Sequence, residues 1–527
     1  MNKQFVSAIL LLTLNTVLLA QNVISPLGHQ FRHFILPASQ NRTVNYGFYP
    51  LSQPLTKTTF IQPITDTTAD NSISNRIFNN DLAIYKDNPA HFYVNPLFWI
   101  EKKQSLTTDS AYITNTRGIE IHGNIGTKLF FSTTFRENQA RYPAYINHIV
   151  TSRRVVPGQG AWKDFENGGR DFASASGILL YQPTKYLSLL AGTGKNFIGY
   201  GYRSLILSDN AFNYPYFRVS IAGKKWNYQW LTAQFQYFGR EYYYYHYRKY
   251  FSAFAITYKP FQNLEIAVIE ATVWNNMLNN SYTAKPPLLF YVPLAFVNTA
   301  INGLNVGNNS MVALQLCYTF KNYASLYSQS ILDNYGKNNV LFITKGIRYG
   351  IQNGIKISDI FAQNIPYLHW FLLSEYNLVS PYTYSSPNPA GNFSHYKQEL
   401  THPLGSNFTE WIVQSRITYR FFNIYANYQI AHTVSDTTDT NFGKNIFLVN
   451  NPLLYSKIST NSQIADLNKT ILKNSVIGFS VTLNASTGLQ LYAEIQQRSI
   501  NISGVTNTQR FINAGITTKL ENFYFDF

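Results

Sequence analysis

The stretch "AITYKPFQNLEIAVI", residues 255–269, carries the pattern that decides the fold. It reads as one strand with Tyr258 near its end, a short connection through Pro260, and then a second strand. The same shape recurs in "LLYQPTKYLSLLAG" (179–192), "LCYTFKNYASLYS" (316–328), "ITYRFFNIYANYQ" (417–429) and "FSVTLNASTGLQLYAEI" (479–495). Tight polar turns between extended segments are hairpin signals. Between the hairpins lie much longer segments, among them 383–407 and 436–468. Short turns that alternate with long loops are the rhythm of a barrel whose two ends face different compartments.

Composition narrows the compartment. Aromatic residues make up 16% of the 527 positions and charged residues only 13%, about half the charged share usual in a soluble domain. After residue 20 there is no apolar run of the roughly 18 residues a membrane helix needs. An aromatic, charge-poor chain without such runs fits a transmembrane antiparallel β-barrel of the bacterial outer membrane. There, faces alternate along each strand and aromatic girdles mark both interfaces. A large secreted β-sandwich or solenoid is the runner-up. Strands of about 10 residues imply a barrel of about 14 to 18 strands.

Residues 1–20 read as a signal peptide, with Lys3 followed by an apolar run from Phe5 to Ala20. Residues 21–110 are rich in Pro, Thr and Asn without a sustained period. They read as a short periplasmic or plug segment, with short helical pieces around residues 79–84. The barrel is expected over 111–527. In "WLTAQFQYF" (230–238), Leu231, Ala233, Phe235 and Tyr237 share one face, expected to meet lipid, and Trp230, Thr232, Gln234 and Gln236 the other, expected to meet the lumen. The ending "LENFYFDF" (520–527) reads as a C-terminal aromatic strand of the kind that outer-membrane assembly recognises. The one cysteine, Cys317, reads as a small buried or lipid-facing residue.

Enzyme signals are weak. "AGTGKNF" (191–197) lacks the glycine and the hydroxyl residue of a phosphate loop, having Leu189 and Asn196 at those places. His29 and His33 have no helical pattern or glutamate to make a metal site. Ser204, Ser208, Asp209, His395 and His402 supply the residue types of a hydrolase but no nucleophile motif. The expectation is a non-enzyme without metal or cofactor. The formal net charge of +16 forms no dense basic cluster, so nucleic acid is not an expected partner. It suits anionic sugars or lipid phosphates.

Two segments carry a family resemblance. "GYGYRSLILSDNAFNYPYFR" (199–218) is a non-strand insertion between strands, with Leu205–Leu207 in need of burial. "LLSEYNLVSPYTYSSPNPAGNFSHYKQELTHPLGSNFTEW" (372–411) places Glu375, Tyr376 and Asn377 on a strand. With "FENGGRDF" (165–172), they resemble motifs of the Wzi-like capsule-assembly family of outer-membrane barrels, in its Bacteroidota branch, from about Gly118 to the C-terminus. The resemblance implies a barrel with a periplasmic helical portion, acting as a surface lectin that retains capsular polysaccharide. It also implies relatives in gliding motility and surface secretion.

The expected function is therefore binding or retention of anionic surface polysaccharide at the cell outer membrane. An accessory barrel of a gliding or secretion assembly is the first alternative, and a pore for anionic solutes the second. Besides outer-membrane lipid, the expected partners are that polysaccharide or gliding or secretion machinery proteins. In the first segment, Arg203, Asp209, Asn210, Tyr214 and Arg218 are the candidate polysaccharide-binding residues; the alternative is a loop folded inward as a plug. Further candidates are Glu375, Tyr382, Tyr384, His395 and His402 in the second segment, and Tyr243, Tyr245 and Arg248 in "REYYYYHYRKY" (240–250). That last stretch reads as one outer loop with Arg240, His246 and Lys249, or as an interfacial girdle.

Overall fold

The structure is a computed structural model. It describes residues 47–50, 80–238, 246–274, 285–302, 308–333, 347–359, 367–434, 441–448 and 469–527. Residues 322, 387–388, 435–440 apart from 436, and 485 are excepted, and a few short pieces elsewhere are added. The expected signal peptide and the pair His29 and His33 fall outside the described residues.

An antiparallel sheet of 18 strands closes on itself. The first six strands are β1 (Ala90–Ser105), β2 (Ala111–Ile125), β3 (Leu129–Ala140), β4 (Gly169–Thr184), β5 (Leu187–Gly194) and β6 (Tyr214–Ala222). Next come β7 (Trp226–Phe238), β8 (His246–Phe261), β9 (Leu264–Trp274), β10 (Asn309–Phe320), β11 (Ala324–Leu332) and β12 (Tyr349–Ser358). The wall is completed by β13 (Leu368–Val379), β14 (Phe408–Tyr419), β15 (Phe422–Val434), β16 (Lys469–Asn484), β17 (Leu489–Ile502) and β18 (Val505–Thr517). Each strand pairs with the next, and β18 closes on β1 from Phe511↔Ser105 to Thr517↔Trp99. Closure leaves no free edge, which is how strands cross a membrane with their backbone satisfied.

All five quoted hairpins are present, at β4/β5, β8/β9, β10/β11, β14/β15 and β16/β17. Each joins an even strand to an odd one, so all five turns lie at one end. The opposite end carries the long connections, including helix α1 (Ala144–Arg153) and the segments 195–213 and 380–407. The short-turn end is ringed by outward, exposed Tyr186, Trp226, Phe261, Phe320, Tyr367, Tyr419 and Phe422. That ring is the aromatic girdle of an outer-membrane barrel.

Several local expectations are corrected. The wall begins at Ala90, ahead of residue 111, and Ala83–Asp87 is a strand paired with β1, where a helical piece was expected. The chain leaves the wall after Thr517: "LENFYFDF" is no strand but a tail inside the lumen. Ala83–Asp87 takes the edge of β1 from Val94 to Ala90 that β18 does not reach, so the seam closes without the last residues.

The faces of β7 are also the reverse of expectation. Leu231, Ala233 and Phe235 point inward and are buried in one apolar cluster with Leu205, Ile206 and Leu207 of the 195–213 insertion. The physical reason is that the lumen here holds a folded plug rather than water. A plug with its own apolar core inverts the polar-in rule of an open barrel. Cys317 is buried, on the same inward set of β10 as Gln315 and Ala313.

Candidate functional site

The 195–213 insertion is the inward-folded plug. Its sequence fits that place: Leu205, Ile206 and Leu207 are fully buried, and the Ser204 hydroxyl accepts the backbone N–H groups of Ile206 (3.1 Å) and Leu207 (3.2 Å) to close their turn. Two other segments join it. Phe48–Tyr49 pairs with Phe197–Ile198, and the 380–407 connection reaches in, with Ser208 N–H donating to Leu400 O at 2.7 Å.

Wall carboxylates fasten the plug. Glu375 on β13 accepts the backbone N–H groups of Tyr202 (2.7 Å) and Arg203 (3.1 Å), and the Tyr327 hydroxyl (2.7 Å). Glu410 on β14 accepts from Arg203 Nη2 at 3.2 Å, Asn377 Nδ2 at 3.0 Å and Gln429 Nε2 at 2.5 Å. Its other contact is His402 Nε2 at 2.8 Å. Both carboxylates are fully buried, and satisfying a buried carboxylate this fully is what makes it tolerable.

The remaining candidates from the two segments are spent in the same way. Asp209 accepts from Asn522 Nδ2 (2.7 Å) and the Tyr524 hydroxyl (2.6 Å) of the tail. Asn210 donates to Glu399 O at 3.1 Å, and Tyr214 accepts the Asn196 N–H at 3.1 Å. Arg218 donates to the carbonyl of Pro50. Tyr384 donates to Leu205 O at 3.0 Å, and Tyr382 to Asn441 O at 2.5 Å. His395 Nδ1 accepts the Gln236 N–H at 3.0 Å, and burial pushes this imidazole down to about 3, so it is neutral. These residues are brought together, but buried inside the plug, with hydrogen bonds to the chain itself.

Tyr243, Tyr245 and Arg240 fall outside the described residues. The stretch is not one outer loop, because His246 onward belongs to β8. Arg248 is exposed on the outer face, and the next residue, Lys249, points inward and donates to Asn392 O at 2.6 Å.

Beside the plug lies a lumenal cavity of about 410 Å³. Its wall side is built by β1, β2 and β13–β18, and its plug side by Tyr202 and the tail from Lys519 to Asp526. Lining residues run from Tyr112 and Arg141 at the long-loop end to Gln490 and Thr517 at the short-turn end. Aromatic hydroxyls meet carboxylates along it: Tyr492 donates to Glu101 at 2.6 Å and Tyr425 to Glu494 at 3.0 Å. Trp99 donates to the Tyr492 oxygen at 2.8 Å and stacks on Phe523 of the tail, centroids 5.7 Å apart. Lys103, Arg141 and Arg416 add cations. Such a surface can stack on flat apolar faces while donating to and accepting from hydroxyls. Sequence reading missed it, since Trp99, Glu101 and Lys103 fell in the stretch assigned to the N-terminal segment. The inward parity of Tyr425 and Tyr492, both in quoted hairpins, was the available signal.

Among solved structures, the chain is similar to Wzi of Escherichia coli, with a TM-score of 0.53 over 94% of this chain and 99% of that one, at 13% identity. Wzi is an outer-membrane protein involved in group 1 capsule assembly and a carbohydrate-binding β-barrel. In fold, the chain is a Wzi-like outer-membrane barrel. OprD of Pseudomonas aeruginosa follows at 0.42 and 9% identity over 88% and 99%, and OccAB2 of Acinetobacter baumannii at 0.43 and 10% over 81% and 97%. No family model and no curated protein sequence matches. The protein is located in the outer membrane.

Proposed function

We propose that this barrel binds carbohydrate and retains surface polysaccharide at the outer membrane, with a sugar segment held in the lumenal cavity. The observation that carries the reading is the lining itself. Tyr and Trp rings alternate there with Glu101, Glu494, Lys103, Arg141 and Arg416, a mixture suited to sugar faces, hydroxyls and acidic substituents. The fold shared with a carbohydrate-binding barrel supports it. The role assigned is binding, not catalysis. A pore for anionic solutes is less favoured, because the lumen beside β5–β14 is packed with the buried plug. An accessory role in gliding or secretion would need a protein partner and no affinity for sugar.

The test is a clean deletion in the native host, with polysaccharide measured on washed cells and in the medium. Loss from cells with a gain in the medium is expected, reversed by the wild-type gene. It should not be reversed by a Tyr112→Ala, Arg141→Ala double variant present at the same level in the outer membrane. An unchanged distribution after deletion would sink the reading.

A further inference from the structure

The connection between β9 and β10 does something unusual for a barrel loop: it folds down over the outer face of the wall. Residues 285–302 form a strap with a short 3₁₀ turn at Leu288–Tyr291 and a helical turn at Val297–Asn302. The strap is held by groups that point away from the lumen. Glu270 on β9 accepts the backbone N–H groups of Phe296 at 2.6 Å and Thr299 at 3.0 Å, and also the Thr299 hydroxyl. Asn298 donates to Ser310 Oγ at 2.9 Å, and Phe290 packs against Tyr250 and Trp274. Farther down, the Tyr228 hydroxyl donates to Pro293 O. Tyr228 is near the short-turn start of β7, so the strap descends along much of the wall's height.

Its polarity is inside out for a segment in water. The polar residues Asn298 and Thr299 face the wall, while Leu288, Tyr291, Leu294 and Ile301 point away from it, Leu288 with 86% of its surface exposed. Irregular backbone is not tolerated in hydrocarbon unless its polar groups are satisfied. This segment is suited to that demand. Pro286, Pro287 and Pro293 have no N–H to satisfy. Phe290 N–H donates to Pro287 O at 3.0 Å and Val292 N–H to Leu289 O at 3.2 Å. Beneath the strap, Glu270, Thr272, Ser252 and Ser310, all on the outer face, are buried.

We propose that residues 285–302 are a re-entrant membrane strap whose outer face, Leu288, Tyr291, Leu294 and Ile301, contacts the acyl chains of the outer membrane. The strap shields the carboxylate of Glu270 from those chains while using it as an anchor. The occupant follows from continuity: the strap lies on the wall surface that meets lipid, and it presents to that side what the surrounding wall presents, exposed apolar residues such as Val268 and Leu314.

The test uses the full chain in phosphatidylcholine vesicles, with buried Cys317 replaced by alanine and single cysteines at Leu288→Cys, Leu294→Cys or Ile301→Cys. Val268→Cys on the wall and Val505→Cys beside the β17/β18 turn serve as lipid and water references. Each carries an environment-sensitive fluorophore, and folding is checked by heat-modifiable migration on gels. Three separate positions guard against one variant failing to fold. Strap labels are expected to lose fluorescence to a phosphatidylcholine bearing a mid-chain nitroxide as the Val268 label does, and to resist aqueous iodide. Iodide quenching equal to that of the Val505 label would place the strap in water and overturn the proposal. Labels shielded from both quenchers would mean that protein, a second copy or a partner, covers the strap, and would overturn it equally.

Discussion

Arg203 of the plug and Asp526 of the C-terminal tail meet at 3.0 Å inside the barrel, and the same guanidinium nitrogen reaches Glu410 of the wall at 3.2 Å. One fully buried arginine thus ties together three parts of the chain that are far apart in sequence. Replacing it with methionine keeps the volume and removes the charge, leaving the buried Glu410 and the partly buried Asp526 without their shared cation. Breaking a buried pair from one side costs about 3–5 kcal/mol. Arg203→Met is expected to lower the temperature of the heat-modifiable gel shift and to expose the plug to protease. An unchanged transition would show that the ion pairs contribute nothing net.

The tail is separable from the wall, since β18 ends at Thr517 and the seam is already closed there. A chain ending after Thr518 should still form a barrel by heat-modifiable migration. It should also lose one side of the 410 Å³ cavity. In planar bilayers it is expected to conduct more than the full chain. Equal conductance would mean that the plug alone sets the resistance.

Acid should loosen this tail. Burial pushes the Glu521 carboxyl up, but Arg136 at 3.1 Å and Lys195 at 3.5 Å outweigh burial and hold it below its usual range. A carboxyl depressed in the folded state contributes stability above its unfolded value, and that contribution is lost as pH falls through the folded one. The tail is therefore expected to stay docked at neutral pH and to loosen below about pH 4. Hydrogen exchange of the terminal peptide, divided by its intrinsic rate at each pH, reports this, and Glu521→Gln should reduce the dependence of that protection on pH.

Gly201 tests how closely the plug backbone must approach the wall. A Cβ at this position would lie 2.1 Å from a carboxylate oxygen of Glu375. Gly201→Ala must therefore displace the group that accepts the Tyr202 and Arg203 N–H groups. Overpacking of this kind costs about 1–3 kcal/mol. A lowered thermal transition is expected, partly restored by Glu375→Ala only if the clash is the cause.

The fold was legible because hairpin turns are local. Tyr258 through Leu264 needs no distant partner to read as a strand end, a turn and a strand start, and the alternation of turns and loops followed. The strand faces were not legible. The inward set Leu231, Ala233 and Phe235 is apolar because Leu205–Leu207 lies against it, and period-two alternation cannot say which side holds a core. The tail misled for a related reason. Phe523, Phe525 and Phe527 alternate as a strand would, but Phe523 stacks on Trp99 and Phe525 packs against Tyr142, contacts made within the lumen. Arg203, Glu375 and His402 were singled out for their chemistry. That chemistry is turned on the protein itself, a distinction that only three-dimensional partners reveal.

The lumenal position of the last residues has a practical consequence for anyone handling this protein. Phe527 sits inside the barrel, its carbonyl accepting from Arg498 at 3.1 Å. An epitope or affinity tag fused after it would begin between α1 and the 380–407 connection, beside Ile149, Arg153 and Glu399, and would crowd their packing. The turn at Ser503 and Gly504 offers a better site for an inserted tag. Both residues adopt positive φ, and Val505 beside them is 76% exposed at the end of the barrel away from the girdle. An antibody binding to intact cells carrying such an insertion would show which end of the barrel faces the medium.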